Sequence, residues 1–366
     1  MKRRSSIAYD ARLALGNYRG MGRFLRLLIA GREGALTGLC ASGETDSTLQ
    51  LLATGPTFYP LWEQGWLPWL VIREGIRILI CPYNTAPLLL PRRVKLVLVV
   101  HDLIFLDKLP MSTSRYQNLG RFYRQQIVPR AIERADQLIT VSHYTRLQLA
   151  SRFPKCVDKV QVIPNSLEEA WFDELPTVRS FEPYILTVAG EAPSKNLARA
   201  IAAFARLGQL TGSTMHRLKI AGVKPQFHAH FRAQAESCGV GERVELLDYV
   251  SEDTMRSLFR RAELFLMPSL LEGFGIPVLE AMASGVPVVC SSASCLPEIA
   301  GDAAFYFDPA SVDQMASAIH AVLADSKLQA EMSRLGLQQA EHYHPRSVRN
   351  YVEQFWTSLP PDMHSL

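Results

Sequence analysis

The residues with the clearest chemical potential fall in one stretch, Glu272-Gly273-Phe274-Gly275-Ile276-Pro277-Val278-Leu279-Glu280. Its two glycines let backbone N–H groups approach a ligand closely, because no Cβ stands in the way. Pro277 marks the first turn of a helix that Gly285 and Pro287 end. The start of such a helix, with free N–H groups and a positive dipole end, suits an anion such as a phosphate. Glu272 stands before the helix and Glu280 in its early turns, so they bracket the loop without having to share a face. A plain strand–loop–helix connection with surface glutamates is the alternative. Two carboxylates, two glycines and a proline punctuating one turn favour binding chemistry. Two shorter signals lie upstream. His101-Asp102 closes the apolar run 94–100, where a histidine either faces a ligand or sits satisfied at the core edge. Arg19-Gly20-Met21-Gly22-Arg23 precedes the helix-like 24–29, which suits a phosphate-facing or acceptor-facing loop as well as an ordinary turn.

The elements that must position these residues alternate between strand and helix. Apolar runs at 94–100, 138–141 and 160–163 read as strands, each closed by polar residues. Residues 165–183 lose periodicity and collect Pro176 and Pro183 beside acidic residues, as a linker does. The pattern restarts with strands at 184–189, 218–221, 244–247, 264–267 and 286–290. Helices at 196–207, 227–238, 253–262 and 277–284 come between them. Strands alternating with helices predict parallel sheets covered on both faces. Ligands in such sheets bind beyond the carboxyl ends of the strands. The reading is therefore α/β with two Rossmann-like domains facing one another across a cleft. Residues 1–168 form one, 169–183 the linker and 184–344 the other. The apolar stripe Val348, Val352, Phe355 and Trp356 predicts a final helix within 345–366 that packs back on the first domain.

Length and composition agree. The chain has 366 residues, 48% hydrophobic and 20% charged, enough for two cores and unlike a disordered or fibrous chain. Six scattered cysteines without a C-x-x-C pair read as reduced thiols. No run reaches the length of a membrane-spanning helix, and no secretory leader is recognisable, so a cytoplasmic protein is expected. The net charge of +4 hides an asymmetry: residues 1–180 carry +9 and residues 181–366 carry −5. Arg12, Arg19, Arg23, Arg26 and Arg32 interleave with Phe24, Leu25, Leu27 and Leu28, and Arg115, Arg121, Arg124, Arg130 and Arg134 with Tyr116, Phe122, Tyr123 and Ile127. Such segments fit peripheral attachment to an anionic membrane surface, and equally a solvated basic face. Nucleic acid is not an expected partner, because no nucleic-acid-binding motif accompanies the charge.

The run from Glu272 to Gly285 and on through Val286-Pro287 resembles the signature of the family 4 retaining glycosyltransferases. That likeness extends over about 184–310. Weaker markers lie at Arg19-Gly20-Met21-Gly22-Arg23, His101-Asp102-Leu103, Val141-Ser142-His143-Tyr144-Thr145-Arg146 and Val162-Ile163-Pro164-Asn165. The resemblance implies the two-domain GT-B fold and a nucleotide-sugar donor. It assigns Glu272 to the transferring sugar, with Gly273, Phe274 and Gly275 facing sugar and diphosphate. Glu280 falls to the ribose, the backbone near Tyr249 and Val250 to the base, and Lys195 to the leaving diphosphate. His101 and Asp102 would meet the sugar, and Gly20, Gly22 and Arg23 the diphosphate from the other domain. One departure stands out: where many relatives place an arginine ahead of the lysine, this chain has Gly190-Glu191 and Ser194-Lys195.

Retention through a covalent intermediate would need a carboxylate nucleophile, for which Glu272 is the candidate. The resemblance instead implies same-face substitution, in which the departing diphosphate takes the acceptor proton. No Asp-x-Asp sequence occurs, so no metal or other cofactor is expected. The implied reaction moves a hexose, with mannose from GDP-mannose preferred, to a lipid-linked or oligosaccharide acceptor in cell-surface polysaccharide or lipopolysaccharide synthesis. Alternatives are a nucleotide-sugar epimerase or hydrolase on the same fold, or a non-catalytic partner subunit.

Overall fold

The computed structural model describes residues 5–16, 20–107, 115–173, 183–212 and 215–359. They divide into two compact units: the described residues up to 166 together with 348–359, and residues 167–347.

The first unit is built on seven parallel strands: β1 (Ile7–Asp10), β2 (Thr37–Cys40), β3 (Leu51–Ala53), β4 (Ile78–Cys81), β5 (Lys95–Val100), β6 (Gln137–Thr140) and β7 (Val160–Val162). Their order is β3-β2-β1-β4-β5-β6-β7, so the chain reverses direction across the sheet between β1 and β4. The run Leu96–Val100 is branched and apolar because both its faces are covered. Leu96, Leu98 and Val100 enter a core with Trp62, Leu70 and Leu138, and Val97 and Val99 are buried too. Its register sets Leu98 against Cys81 on β4 and against Leu138 on β6. At the carboxyl end of β6, the Ser142 hydroxyl accepts from the Thr145 N–H at 3.1 Å and starts the helix His143–Arg152. β2 carries Gly38, where a Cβ would stand 2.7 Å from Leu51 Cδ2 on β3 and 3.0 Å from the Tyr9 ring, so a larger residue would have to displace those side chains.

The helix Pro345–Ser358 belongs to this unit at its described C-terminal end. It buries Val348, Val352, Phe355 and Trp356. The Trp356 indole N–H donates to the Leu28 carbonyl at 2.8 Å, and Glu353 pairs with Arg32 at 2.7 Å.

The second unit has six parallel strands: β8 (Tyr184–Val188), β9 (Arg217–Ala221), β10 (Val244–Leu247), β11 (Leu264–Met267), β12 (Val288–Ser291) and β13 (Ala304–Phe307). Their order is β10-β9-β8-β11-β12-β13, with the reversal between β8 and β11. The helices Leu197–Thr211 and Val312–Ala324 cover one face, packing Phe204 and Ile319 with Leu218, Ile220 and Leu266. The stretch expected as a linker, 169–183, opens with a structured turn. Glu169–Trp171 is a single turn of helix with Trp171 buried edge-on against Phe259 at 5.6 Å. Residues 174–182 lie outside the described residues. Among the described residues no helix is long and apolar enough to cross a membrane.

Candidate active site

Both β8 and β11 deliver their following loops to the carboxyl edge of the second sheet, beside its reversal point, where open α/β sheets bind ligands. There Lys195 Nζ meets Glu272 Oε1 at 2.7 Å, with the side chains 30% and 10% exposed. An ammonium has three N–H donors. Only the one to Glu272 is used among the described residues, which leaves two for another anion.

The two loops are stitched together. Leu270 N–H donates to the Ser194 carbonyl at 2.7 Å. Asn196 adopts a left-handed backbone (φ +59°), and its amide donates to the carbonyls of Pro268 at 2.9 Å and Pro309 at 2.8 Å. The Glu272 N–H donates to Ser294 Oγ at 3.1 Å. The Cys295 thiol lies 3.1 Å from the Phe274 carbonyl and 3.3 Å from that of Glu272. Burial, and then the charge of Glu272, push that thiol's pKa well up, so it stays protonated and serves as a donor. The Phe274 ring is buried edge-on against Tyr343 at 5.6 Å and anchors the loop.

Gly275 stands at φ +103° immediately before the helix Ile276–Ala283, in which Glu280 is buried. The structure thus brings Lys195 and Glu272 into contact and carries Gly273, Phe274, Gly275 and Glu280 on the same connection. Tyr249, 48% exposed, and the half-buried Val250 follow edge strand β10, three positions from β11 in the sheet. Glu191 pairs with Lys224 at 3.2 Å. That pair spans the loops after β8 and β9.

In the first unit, His101 follows β5 and is 7% exposed. Its Nε2 lies 2.8 Å from the Pro82 carbonyl. A carbonyl only accepts, so Nε2 carries the proton and Nδ1 is left as the acceptor. Burial pushes its pKa down to about 4, against the opposing pull of the Pro82 carbonyl, and the ring is neutral at physiological pH. The neighbouring Asp102 carboxylate accepts from the Ile104 N–H at 3.1 Å and closes the turn Ile104–Leu106. Asn84, which the sequence reading passed over, ties this end together. It is left-handed (φ +67°), and its Oδ1 takes the His101 N–H at 2.6 Å. An asparagine two residues after a proline and an apolar run was the available signal.

The expected loop at Gly20-Met21-Gly22-Arg23 is corrected: these residues are the first turn of the helix Gly20–Ile29, and Arg19 lies outside the described residues. That helix still reaches the strand end, since Phe24 stacks edge-on against His101 at 5.3 Å.

The His101 environment sets a pH dependence. The folded pKa lies below the unfolded value of about 6.5, so its contribution to stability is full above pH 6.5 and is lost as pH falls toward 4. The span is worth about 3 kcal/mol. His101→Gln, which keeps a donor for Pro82 and does not titrate, should lose less urea resistance than wild type between pH 7.5 and 5. Equal losses would contradict the neutral buried ring.

The family described as Glycosyl transferases group 1 matches residues 175–339, and Glycosyltransferase Family 4 matches residues 48–170. The chain belongs to this glycosyltransferase family. The O-antigen chain mannosyltransferase B of Escherichia coli is 28% identical over 277 residues, which cover 71% of this glycosyltransferase and 70% of that enzyme. Among solved structures, WaaG, a glycosyltransferase involved in lipopolysaccharide biosynthesis, superposes with a TM-score of 0.75 at 18% identity, covering 96% of this chain and 100% of its own. Anabaena HepE, solved in complex with UDP and glucose, gives 0.72 at 16% identity over 97% and 100%. These two likenesses fix the GT-B fold.

The glycosyltransferase spends many of its first-half cations internally. Arg12 pairs with Asp10, and Arg26 with Asp46 and the Ala14 carbonyl. Arg32 holds Glu353, and Arg121 donates to the Phe105 and Asp107 carbonyls. Arg134 binds Asp136 at 3.2 Å and the Val94 carbonyl at 3.1 Å. Arg124 and Arg130 stay exposed, so the second segment keeps part of its basic face while the first spends most of its cations within the fold.

Proposed function

We propose that this glycosyltransferase moves mannose from GDP-mannose, with retention, to a lipid-linked or growing polysaccharide acceptor, working at the cytoplasmic face of a membrane. The observation that carries the reading is the Lys195–Glu272 pair at the carboxyl edge of the second sheet. Its spare N–H donors suit the leaving diphosphate, while the second oxygen of Glu272 suits a sugar hydroxyl. The helix Ile276–Ala283 adds its positive end to the same charge. The sugar choice is supported by the mannosyltransferase likeness; the UDP held by HepE makes a UDP-sugar the competing donor.

In this reading Glu272 orients the sugar and stabilises its developing positive charge, and the departing diphosphate accepts the acceptor proton. Glu280 takes the ribose, and the backbone at Tyr249 and Val250 the base. From the first unit, His101 and Asp102 meet the sugar, and the first turn at Gly20, Gly22 and Arg23 the diphosphate. His101, neutral with Nδ1 as acceptor, takes a hydroxyl hydrogen bond there. The reading requires no metal.

A thermal-shift screen tests it. GDP-mannose at about a hundred times its Kd should stabilise the protein by about 2.7 kcal/mol, and UDP-sugars at the same concentration should give much less. Stronger protection by a UDP-sugar would overturn the donor assignment.

A further inference from the structure

Another part of the first unit offers a surface that nothing among the described residues covers. Residues 59–73 run as one continuous helix, through the segments Tyr59–Leu61, Trp62–Trp66 and Leu67–Arg73. One side is spent on the core, where Trp62, Leu67, Leu70 and Val71 are fully buried. The opposite side is apolar as well. Phe58, Leu61, Trp69 and Ile72 are 68%, 57%, 44% and 49% exposed, and with Gly65 between them they recur at helical spacing. A helix that is apolar on both sides has a second partner to meet.

Two neighbouring segments join this stripe through one polar hub. Gln64 accepts from the Leu88 N–H at 3.0 Å and donates to the Ala86 carbonyl and to the Tyr123 hydroxyl, both at 3.1 Å. Glu63, 1% exposed, accepts from the hydroxyls of Tyr59 and Tyr123 at 2.6 Å each. The hub therefore fixes against the helix both the loop bearing Leu89, 81% exposed, and the helix turn bearing Leu119 and Phe122, 68% and 59% exposed. A buried carboxylate satisfied by several donors is a rigid tie.

The exposed charge of residues 54–101 has one sign, while the helix bearing Leu119 and Phe122 carries exposed Arg124 and Arg130 and one exposed carboxylate, Glu133, at its far end. Residues 54–101 contain five Lys or Arg against two Glu. Of those two, Glu63 is buried, and the Glu74 side chain is 10% exposed beside Arg73. Arg73 also lies over the Trp69 ring at 4.9 Å, and Arg77, Arg92 and Arg93 are exposed. Outward aromatic and aliphatic side chains with exposed arginines, and no exposed carboxylate within residues 54–101, complement a negatively charged lipid interface.

We infer that the outer stripe of helix 59–73, with Leu89 and Phe122 beside it, seats shallowly in an anionic lipid surface, and that Arg73, Arg92 and Arg93 meet the headgroups. This rests on the membrane part of the proposed function and places it on a face the basic segments did not predict.

Co-sedimentation tests it, using vesicles of phosphatidylcholine with about 30% phosphatidylglycerol against phosphatidylcholine alone. The full chain should bind the anionic vesicles, less so as salt rises, and bind the neutral ones weakly. Leu61→Ser/Trp69→Ser/Leu89→Ser should weaken partitioning about tenfold or more, with Tm and donor protection unchanged. Arg73→Gln/Arg92→Gln/Arg93→Gln should abolish the preference for anionic lipid. If the serine variant binds like wild type, this face is wrong while membrane residence survives. If wild type binds neither vesicle, both fail. A wild-type dimer that the serine variant converts to monomer, without vesicle binding, would assign the face to a second copy of the chain. Loss of donor protection in wild type would sink the donor reading and leave this one standing.

Discussion

Lys195→Ala is expected to lower kcat and kcat/KM together by about 10²–10³-fold, the usual cost of removing one preorganised group that meets developing negative charge. The structure also predicts a side effect to be separated from chemistry. Glu272 is 10% exposed and loses the cation 2.7 Å from its carboxylate, so the variant should be less stable than wild type. Adding Glu272→Gln to Lys195→Ala removes the orphaned charge. Stability should then recover in part while turnover stays low or falls further, a non-additivity expected of residues in contact. A thermal melt and a donor-turnover assay on wild type, both single variants and the double variant settle it. If Lys195→Ala keeps wild-type kcat, the lysine is a structural partner of Glu272 and the diphosphate lies elsewhere. Recovery of turnover along with stability would lead to the same conclusion.

How much of this was legible in the sequence depended on whether the information was local. The second-unit strands at 184–188, 217–221, 244–247 and 264–267 emerged within a residue or two, because each is an apolar run bounded by polar, glycine or proline residues. Ile7–Asp10 and Thr37–Cys40 did not emerge. They are four residues long, fully buried and without alternation, and Gly38 is there for contact with a strand still to come. The residue types of the site were readable, since Glu272, Gly275 and Lys195 each have a local chemical reason. Their assembly was not. The ion pair spans 77 residues, and Asn84 and Ser294 act through left-handed backbone and hydrogen bonds that no spacing announces. Charge misled for a related reason. Counting arginines gave the sign of the first half correctly, but Asp46, Glu353 and the carbonyls of Phe105 and Val94, which occupy several of them, are visible only in the fold.

Gly275→Val should be among the most damaging single changes in the second unit, for two separable reasons. The residue sits at φ +103° and ψ 44°, a conformation that a β-branched side chain adopts only under strain of about 1–3 kcal/mol. Any Cβ there would stand 2.8 Å from Leu296 Cδ2. Leu296 is fully buried and has little room to yield, which adds about 1–3 kcal/mol of overpacking. The sum of about 2–6 kcal/mol corresponds to a fall in Tm of about 4–24 °C for a domain of this size. The damage is also directional. To relieve the clash the loop must move away from Leu296, carrying Phe274 off Tyr343 and Glu272 off Ser294 and Lys195, so nucleotide-sugar protection should fall even at temperatures where the variant remains folded. Gly275→Asn separates the causes. Asparagine tolerates positive φ better than valine does but still brings a Cβ, so it should retain the packing penalty and lose much of the strain. A valine variant that melts and binds donor like wild type would mean that the loop does not need the left-handed turn, and with it would go the argument that Gly275 aims the helix start at the donor.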